Sequence, residues 1–391
     1  MRPCRCWDSG LPEIMRVAHV ITGLGVGGAE RMLTRMVAVF GQRFDSHVVS
    51  LTTEGRLATD LRGHGATVHA VQMARGFGTH IGGFARLTRL VKRLNPAVVQ
   101  TWMYHADLIG GSAARLAGVK AVAWNIRNGE LESARGTTRS VIRLSAGLSR
   151  LIPKVIVCSS ESARQAHERV GYAADRLHVI PNGFDTARFK PDSSARASVC
   201  EELDIPQDAP LIGLIARLDP LKNHALFFEA ARRLHALRPS VHFLLAGTGV
   251  DSQNPLIRRW LTEAGVARVT RVVGERDDIP RLTAALDVAT CCSLSESFPN
   301  TLGEAAACGV PCVTTDVGDA AAIVDGVGWV VPSGDAEALV GAWDAVLALS
   351  RQQRQRIGQA SRARIVAQYE IGSVARRYAD LYESLANGRQ P

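Results

Sequence analysis

The chain lacks the signatures of several large classes. Its eight cysteines form no C-x-x-C pair, and the adjacent Cys291-Cys292 lies inside an apolar run, so neither a disulfide framework nor a zinc site is indicated. A reducing cytoplasm is the default setting for such a chain. No apolar run approaches the roughly 18 residues of a membrane span, which reads as a chain that is soluble or at most peripheral. There is no recognisable nucleic-acid-binding module and no basic patch with interleaved aromatics, which sets nucleic acid aside as a partner.

What is present is globular: 46% hydrophobic and 21% charged residues. At 391 residues the chain exceeds one ordinary core and suits two domains of roughly 150–200 residues each. The net charge of +9 is uneven: residues 1–190 hold 26 Lys+Arg against 13 Asp+Glu, whereas residues 191–391 hold 20 against 24. The first half is therefore suited to something anionic, a membrane surface or a phosphate-bearing partner. Met1 to Glu13 shows no period and no signal-peptide core, and Met15 opens the first clear strand, so residues 1–14 are expected to be a non-native or disordered extension.

The most informative stretch runs from Ser295 to Ala305, Ser-Glu-Ser-Phe-Pro-Asn-Thr-Leu-Gly-Glu-Ala. Asp287–Cys292 upstream has the look of a buried strand, and Leu302–Cys308 downstream is rich in helix formers. Glu296 and Glu304 thus flank a strand-to-helix turn. In an open α/β sheet that turn lies where ligands bind, and a helix start offers free N–H groups to anions. Glu304 alone is equally well explained as an acid complementing the helix dipole. Two carboxylates around an anion-binding turn suit a ligand with phosphates between two sets of hydroxyls, such as a nucleotide sugar.

The stretch resembles the E-x7-E element of retaining GT-B glycosyltransferases of family 4, with Glu296 and Glu304 in the acidic positions. The resemblance runs from about Met15 to about Leu385. It includes Arg217 and Lys222, which match the family's R-x4-K pair although Ala216 and Asn223 replace its common glycines. Alone, an Arg and a Lys in a loop after a strand are usually solvent charges; with the acidic element they suit the two negative charges of a diphosphate. Gly27-Gly28-Ala29-Glu30 looks like the family's N-terminal glycine loop, and Gly23-x-Gly25-x-x-Gly28 is also a weak dinucleotide fingerprint with Glu54 near the place of its acid. His178-Val179-Ile180-Pro181-Asn182-Gly183-Phe184-Asp185 resembles the V-I-P-N-G-x-D segment that ends the first domain.

The resemblance implies an α/β GT-B fold, two Rossmann-like domains facing each other across a cleft. Residues 15–190 would form the acceptor-binding domain, 191–208 the linker, and 209–368 the nucleotide-sugar-binding domain. Residues 369–391 would form a helix packing back on the first domain. It further implies sugar transfer from a nucleoside-diphosphate sugar, UDP- or GDP-linked, to a hydroxyl acceptor, in cell-envelope, exopolysaccharide or glycolipid synthesis. Glu296, Arg217 and Lys222 would be catalytic. Gly27, Gly28, Val273, Gly274, Phe298, Pro299, Asn300, Thr301, Leu302 and Glu304 would hold the donor with the cationic pair, Val273 and Gly274 at the base and Glu304 at the ribose. No D-x-D occurs, so neither a metal nor a cofactor beyond the donor substrate is required. Many relatives carry a histidine at the end of the strand read from Val119 onward, where this chain has Ile126 beside Arg127; His105 is near in sequence, and a histidine at a helix start also serves structure.

Two basic stretches, Phe84–Leu94 with Arg86, Arg89, Lys92 and Arg93, and Arg135–Lys154 with no acid between Ser133 and Ser160, accord either with helices covering the sheet or with contact to anionic lipid. The second reading would suit a lipid-linked acceptor at the inner face of the cytoplasmic membrane. The rival functions are a nucleotide-sugar epimerase, which needs no acceptor, and a non-catalytic nucleotide-sugar-binding subunit.

Overall fold

The computed structural model describes residues 14–25, 27–73, 77–129, 131 and 136–389, except the side chains of residues 77–80. The expectation for Met1 to Glu13 lies outside the described residues, as does Arg135 of the second basic stretch.

Short, nearly continuous apolar runs become strands of two parallel sheets, because a parallel sheet is covered on both faces and buries both sides of each strand. The first sheet contains β1 (Met15–Ile21), β2 (Phe44–Ser50), β3 (Thr67–Ala70), β4 (Val98–Trp102), β5 (Val122–Ile126), β6 (Val155–Cys158) and β7 (Leu177–Val179). Their order is β3-β2-β1-β4-β5-β6-β7. The second contains β8 (Leu211–Ile215), β9 (His242–Ala246), β10 (Thr270–Val272), β11 (Val288–Cys291), β12 (Cys312–Thr315) and β13 (Trp329–Val331). Its order is β10-β9-β8-β11-β12-β13, with every neighbouring pair parallel.

The chain divides into two compact units. One holds the described residues up to Ile126, Ser140–Val157 and those from Ala379 on; the other holds Arg127–Arg139 and Cys158–Tyr378. In the first, β1 places His19 at the centre of the core, its ring 6.2 Å from Trp102 and 6.1 Å from Tyr382. Burial holds that imidazole down at about 3, so it stays neutral. Tyr382 also packs edge-on to Phe40 and Phe44, and Arg43 bonds Glu383 at 2.8 Å, so the last residues of the chain complete this core. In the second unit, Phe227 meets Trp343 at 5.2 Å and Phe243 at 5.9 Å beneath the sheet.

The C-terminal region forms two helices, Arg351–Tyr369 and Ile371–Ala386, the second lying within the stretch 369–391 expected to be helical. The break falls at Glu370, which is extended (φ −61°, ψ 135°) and whose carboxylate accepts the Gly372 and Ser373 N–H groups, both at 2.8 Å. An acid that caps a helix start ends the helix before it, and composition does not reveal that choice.

Candidate functional site

In the second sheet the strand order reverses between β8 and β11, since β8 has β9 on one side and β11 on the other. Loops leaving the carboxyl ends of these two strands must part, and the crevice between them is where open α/β sheets take ligands. The loop after β8 carries Arg217 to Lys222; the loop after β11 carries Glu296 and leads into the helix Asn300–Ala307.

The β8 loop is built for rigidity. The carboxylate of Asp219 caps the single turn Pro220–Lys222 by accepting the Leu221 N–H at 2.9 Å. Its other oxygen takes both Nε (3.2 Å) and a terminal nitrogen (2.8 Å) of Arg217. Burial pushes the Asp219 carboxyl upward, but the Leu221 N–H, Arg217 and Lys222 outweigh it and keep the group below its usual range. Asn223 follows in the left-handed conformation (φ 51°, ψ 51°) and caps the helix His224–Leu237 through its side chain. Asn is, after glycine, the residue that tolerates positive φ best, so it can stand where the resemblance expects glycine.

The two loops are tied together. Lys222 Nζ is paired with Glu296 Oε1, which also accepts the Ser293 hydroxyl at 2.8 Å. Leu294 N–H reaches Leu221 O at 2.8 Å. Arg217 lies at the mouth, its side chain 59% exposed, whereas those of Lys222 and Glu296 are 22% and 14% exposed. The helix Asn300–Ala307 begins at Pro299, which contributes no side-chain cap, so the first N–H groups are left to be satisfied by other partners, the arrangement that suits an anion. Glu304 is buried, one turn inside. Thus Lys222 meets Glu296, Arg217 is held by Asp219 on the same loop as Lys222, and the turn Pro299–Leu302 continues the loop that carries Glu296.

Other expected residues divide differently. Phe298 and Leu302 are core side chains, Phe298 stacked on Phe184 at 6.0 Å, so what they can offer a ligand is backbone. Val273 and Gly274 lie in adjacent loops laced to the same region: Gly247 N–H bonds Gly274 O, and Ala216 N–H bonds Ala246 O. Their own N–H groups are already taken by Leu245 O (3.0 Å) and Val250 O (2.8 Å), so a base held there would meet side chains and carbonyls.

Gly27 and Gly28 belong to the first unit. Gly27 is the N-cap of the helix Gly28–Phe40, where a Cβ would stand 2.3 Å from the Glu30 carboxylate, and burial raises that carboxyl. Glu54, the acid of the weak dinucleotide reading, is paired with Arg62 at 2.7 Å on the surface. Ile126 is fully buried, and His105, half-buried at the start of the helix Tyr104–Leu116, is depressed by burial.

Several supporting groups were not placed in the site by sequence reasoning. Arg127 donates to the Tyr378 hydroxyl at 2.9 Å and to Asn182, and Asn182 donates to Asn300 at 2.8 Å. Ser297 shares hydroxyl bonds with Ser159 (2.9 Å) and Ser160 (2.7 Å), and Asp319 N–H holds Ser297 O at 3.0 Å. The Asp319 carboxylate in turn caps the helix Glu161–Arg169 through the Glu161 and Ser162 N–H groups. Ser297 and Asn300 of the acidic element are therefore anchored by residues more than a hundred positions away, which no local spacing announces.

Two family models match: "Glycosyltransferase Family 4" over residues 26–188 and "Glycosyl transferases group 1" over residues 209–348. The chain is 26% identical over 235 residues to the Escherichia coli UDP-Gal:alpha-D-GlcNAc-diphosphoundecaprenol alpha-1,3-galactosyltransferase, spanning 59% of this chain and 60% of that one. It is 31% identical over 223 residues to the D-inositol 3-phosphate glycosyltransferase of Mycobacterium tuberculosis (strain ATCC 25177 / H37Ra), spanning 55% of this chain and 45% of that one. The matched regions thus span about half to three fifths of these relatives' length. Among solved structures, Anabaena Alr3699/HepE in complex with UDP and glucose aligns with TM-score 0.84 at 20% identity, covering 95% of this chain and 100% of that chain. A glycosyltransferase from Rickettsia africae ESF-5 aligns with TM-score 0.81 at 18% identity, covering 95% and 98%. With two Rossmann-like parallel-sheet domains of the GT-B type and both family models matched, the chain belongs to the glycosyl transferases of group 1, family 4.

Proposed function

We propose that this protein transfers a sugar from a nucleoside-diphosphate sugar to a hydroxyl acceptor with retention at the anomeric carbon. The observation that carries the reading is the pairing of Lys222 with Glu296 at the β8/β11 reversal, on the two loops that also carry Arg217 and lead into the uncapped start of the helix Asn300–Ala307. Such a site offers preorganised positive potential where a leaving diphosphate gains charge, and that is the largest single contribution most enzymes make. In the step, the bond between the anomeric carbon and the phosphate oxygen breaks and a bond to the acceptor oxygen forms on the same face. The acceptor's proton passes to the departing phosphate. Arg217 exchanges its Asp219 contact for phosphate oxygens, and Lys222 supports the same charge. Glu296 orients sugar hydroxyls, Glu304 holds the ribose, and no metal enters the scheme.

The donor is a UDP- or GDP-sugar in this proposal, with the UDP series tested first because the Escherichia coli relative is named for UDP-Gal and the Anabaena structure holds UDP. The acceptor is lipid-linked, by analogy with the diphosphoundecaprenol in that same relative's name, within cell-envelope or polysaccharide assembly. No helix among the described residues is long and apolar enough to cross a membrane. Attachment at the inner face of the cytoplasmic membrane would use the basic helices Phe77–Leu94 and Gly136–Leu148.

The test is incubation of the protein with UDP-, GDP- and ADP-sugars, with and without a diphospholipid acceptor, followed by release of nucleoside diphosphate and the anomeric coupling of the product by NMR. Acceptor-dependent release with an unchanged anomeric configuration supports the proposal. An inverted product, or isomerised sugar without acceptor, overturns it.

A further inference from the structure

At the free edge of the first sheet, remote in sequence from the acidic element, a cavity of about 680 Å³ is lined by His69, Ala70, Val71, Arg86, Arg89, Leu90, Lys92 and Arg93. Four cations within eight positions of one helix repel each other, and the described residues lining the space include no carboxylate. Arg86 is committed to the wall, donating to Val71 O and Gln72 O at 3.2 to 3.3 Å. Arg89, Lys92 and Arg93 make no ion pair or hydrogen bond among the described residues. Like charges gathered around a concave space without a counter-charge are the arrangement that a bound oxyanion relieves.

A second feature touches the same cavity. His69 of β3 bonds the neighbouring His47 of β2, Nε2 to Nδ1 at 3.0 Å, with the rings stacked 5.3 Å apart and 12° from parallel. His47 continues through Nε2 to Asp45 at 3.2 Å, and Asp45 is bonded by Arg16 at 2.5 Å. A 3.0 Å contact between two ring nitrogens needs one N–H and one lone pair, and either ring can donate, so the pair links Asp45 by hydrogen bonds to the cavity wall. Burial, and then the charges of His47 and Arg93, depress His69 below its ordinary value.

We propose that this groove is a binding site for a phosphate-type oxyanion, held by Arg89, Lys92 and Arg93 and coupled to pH through the His69–His47–Asp45 hydrogen-bond chain. The anion opposes the repulsion that Arg93 exerts on His69, so binding and protonation of His69 favour each other. Linkage then requires anion affinity to rise as pH falls through the range in which His69, held below its ordinary value, takes up its proton. The groups facing His69 are His47 and, through it, Asp45 from β2, and Arg86, Arg89, Lys92 and Arg93 from the helix; Asp45 stays ionised, its carboxyl lowered overall by Arg16 and His47 against the effect of burial. The source of the oxyanion is either a small soluble phosphate or a phospholipid headgroup, and both present the same chemistry.

The test uses the full chain carrying Lys222→Ala, so that anion binding at the β8/β11 site is weakened independently. Inorganic sulfate, which does not titrate between about pH 5 and 8, is followed by calorimetry and by the imidazole NMR signals of His47 and His69. Sulfate should shift those signals and bind several-fold tighter at about pH 5.5 than at about pH 7.5. Arg89→Glu with Arg93→Glu should weaken binding by about tenfold or more, and His69→Gln should retain binding while flattening its pH dependence. Pyrophosphate at neutral pH and vesicles of phosphatidylglycerol with phosphatidylcholine then separate the sources: competition by pyrophosphate alone indicates a soluble ligand, and vesicle binding lost in the double Glu variant indicates a headgroup. Sulfate that leaves both histidine signals unmoved, or binding unchanged in the double Glu variant, overturns the site.

Discussion

Gly303→Ala sets two effects of opposite sign against each other at the heart of the acidic element. Gly303 is interior to the helix Asn300–Ala307, where helix propensity alone favours Ala by about 1 kcal/mol. The added Cβ, however, would lie 2.1, 2.3 and 2.7 Å from ring atoms of Phe184. Carbon atoms prefer separations of about 3.5 to 4.0 Å. The ring cannot easily retreat: Phe184 is fully buried, packs on Phe298 and Tyr369 at 6.0 and 6.5 Å, and its backbone is bonded to Tyr369 O and Ile371 N. A deficit above an ångström belongs at the upper end of overpacking costs, about 3 kcal/mol. The net expectation is destabilisation by about 2 kcal/mol, a fall in Tm of about 4–8 °C. Because relief requires the helix to shift, its first N–H groups move with it, and UDP affinity should drop as well. Thermal unfolding and calorimetric titration of UDP would check both. In a Phe184→Leu background the same substitution should cost less, since the ring that it strikes is gone. A wild-type-background Gly303→Ala with a raised Tm would refute the reasoning, because propensity would then have won over packing.

The remaining expectations concern the charges. Lys222→Ala and Arg217→Ala should each lower turnover by roughly 10²–10³ with unchanged circular dichroism, the scale of losing one preorganised donor; activity within a few-fold for both would remove the phosphate clamp. Glu304→Gln should mainly weaken nucleoside diphosphate binding, by roughly 1.5–3 kcal/mol for a charge-assisted hydrogen bond, whereas Glu296→Gln should impair transfer. Calorimetry showing equal weakening in both would contradict that division. Burial lowers His19 to about 3, and His167 and His224 to about 4. The unfolded chain binds these protons from about pH 6.5 downward and the folded chain does not. Stability should therefore be full above that pH and fall progressively from about 6.5 toward about 4. His19→Leu should flatten the slope of Tm against pH over that window, and an unchanged slope would show that His19 is not the group responsible.

The local grammar of strand, turn and helix was legible in the sequence, because each motif is contained in a few consecutive residues with its own hydrophobic run before it. β8 followed by Arg217 and Lys222, and β11 followed by Glu296 and an uncapped helix, both stand where the apolar patterns put them. The sequence also determined the parallel two-sheet architecture, since short apolar runs alternating with helical periods leave little else. Only the tertiary structure decided which groups meet. That Lys222 pairs with Glu296 follows from β8 and β11 being neighbours, a matter of strand order that no spacing of 74 positions encodes. That Arg217 rests on Asp219, that the Val273 and Gly274 N–H groups are already taken, and that Phe298 and Leu302 face the core depend on backbone direction at loops. The break at Glu370 and the His47–His69 contact are likewise products of neighbouring backbone and register, which packing selects after the local elements have formed.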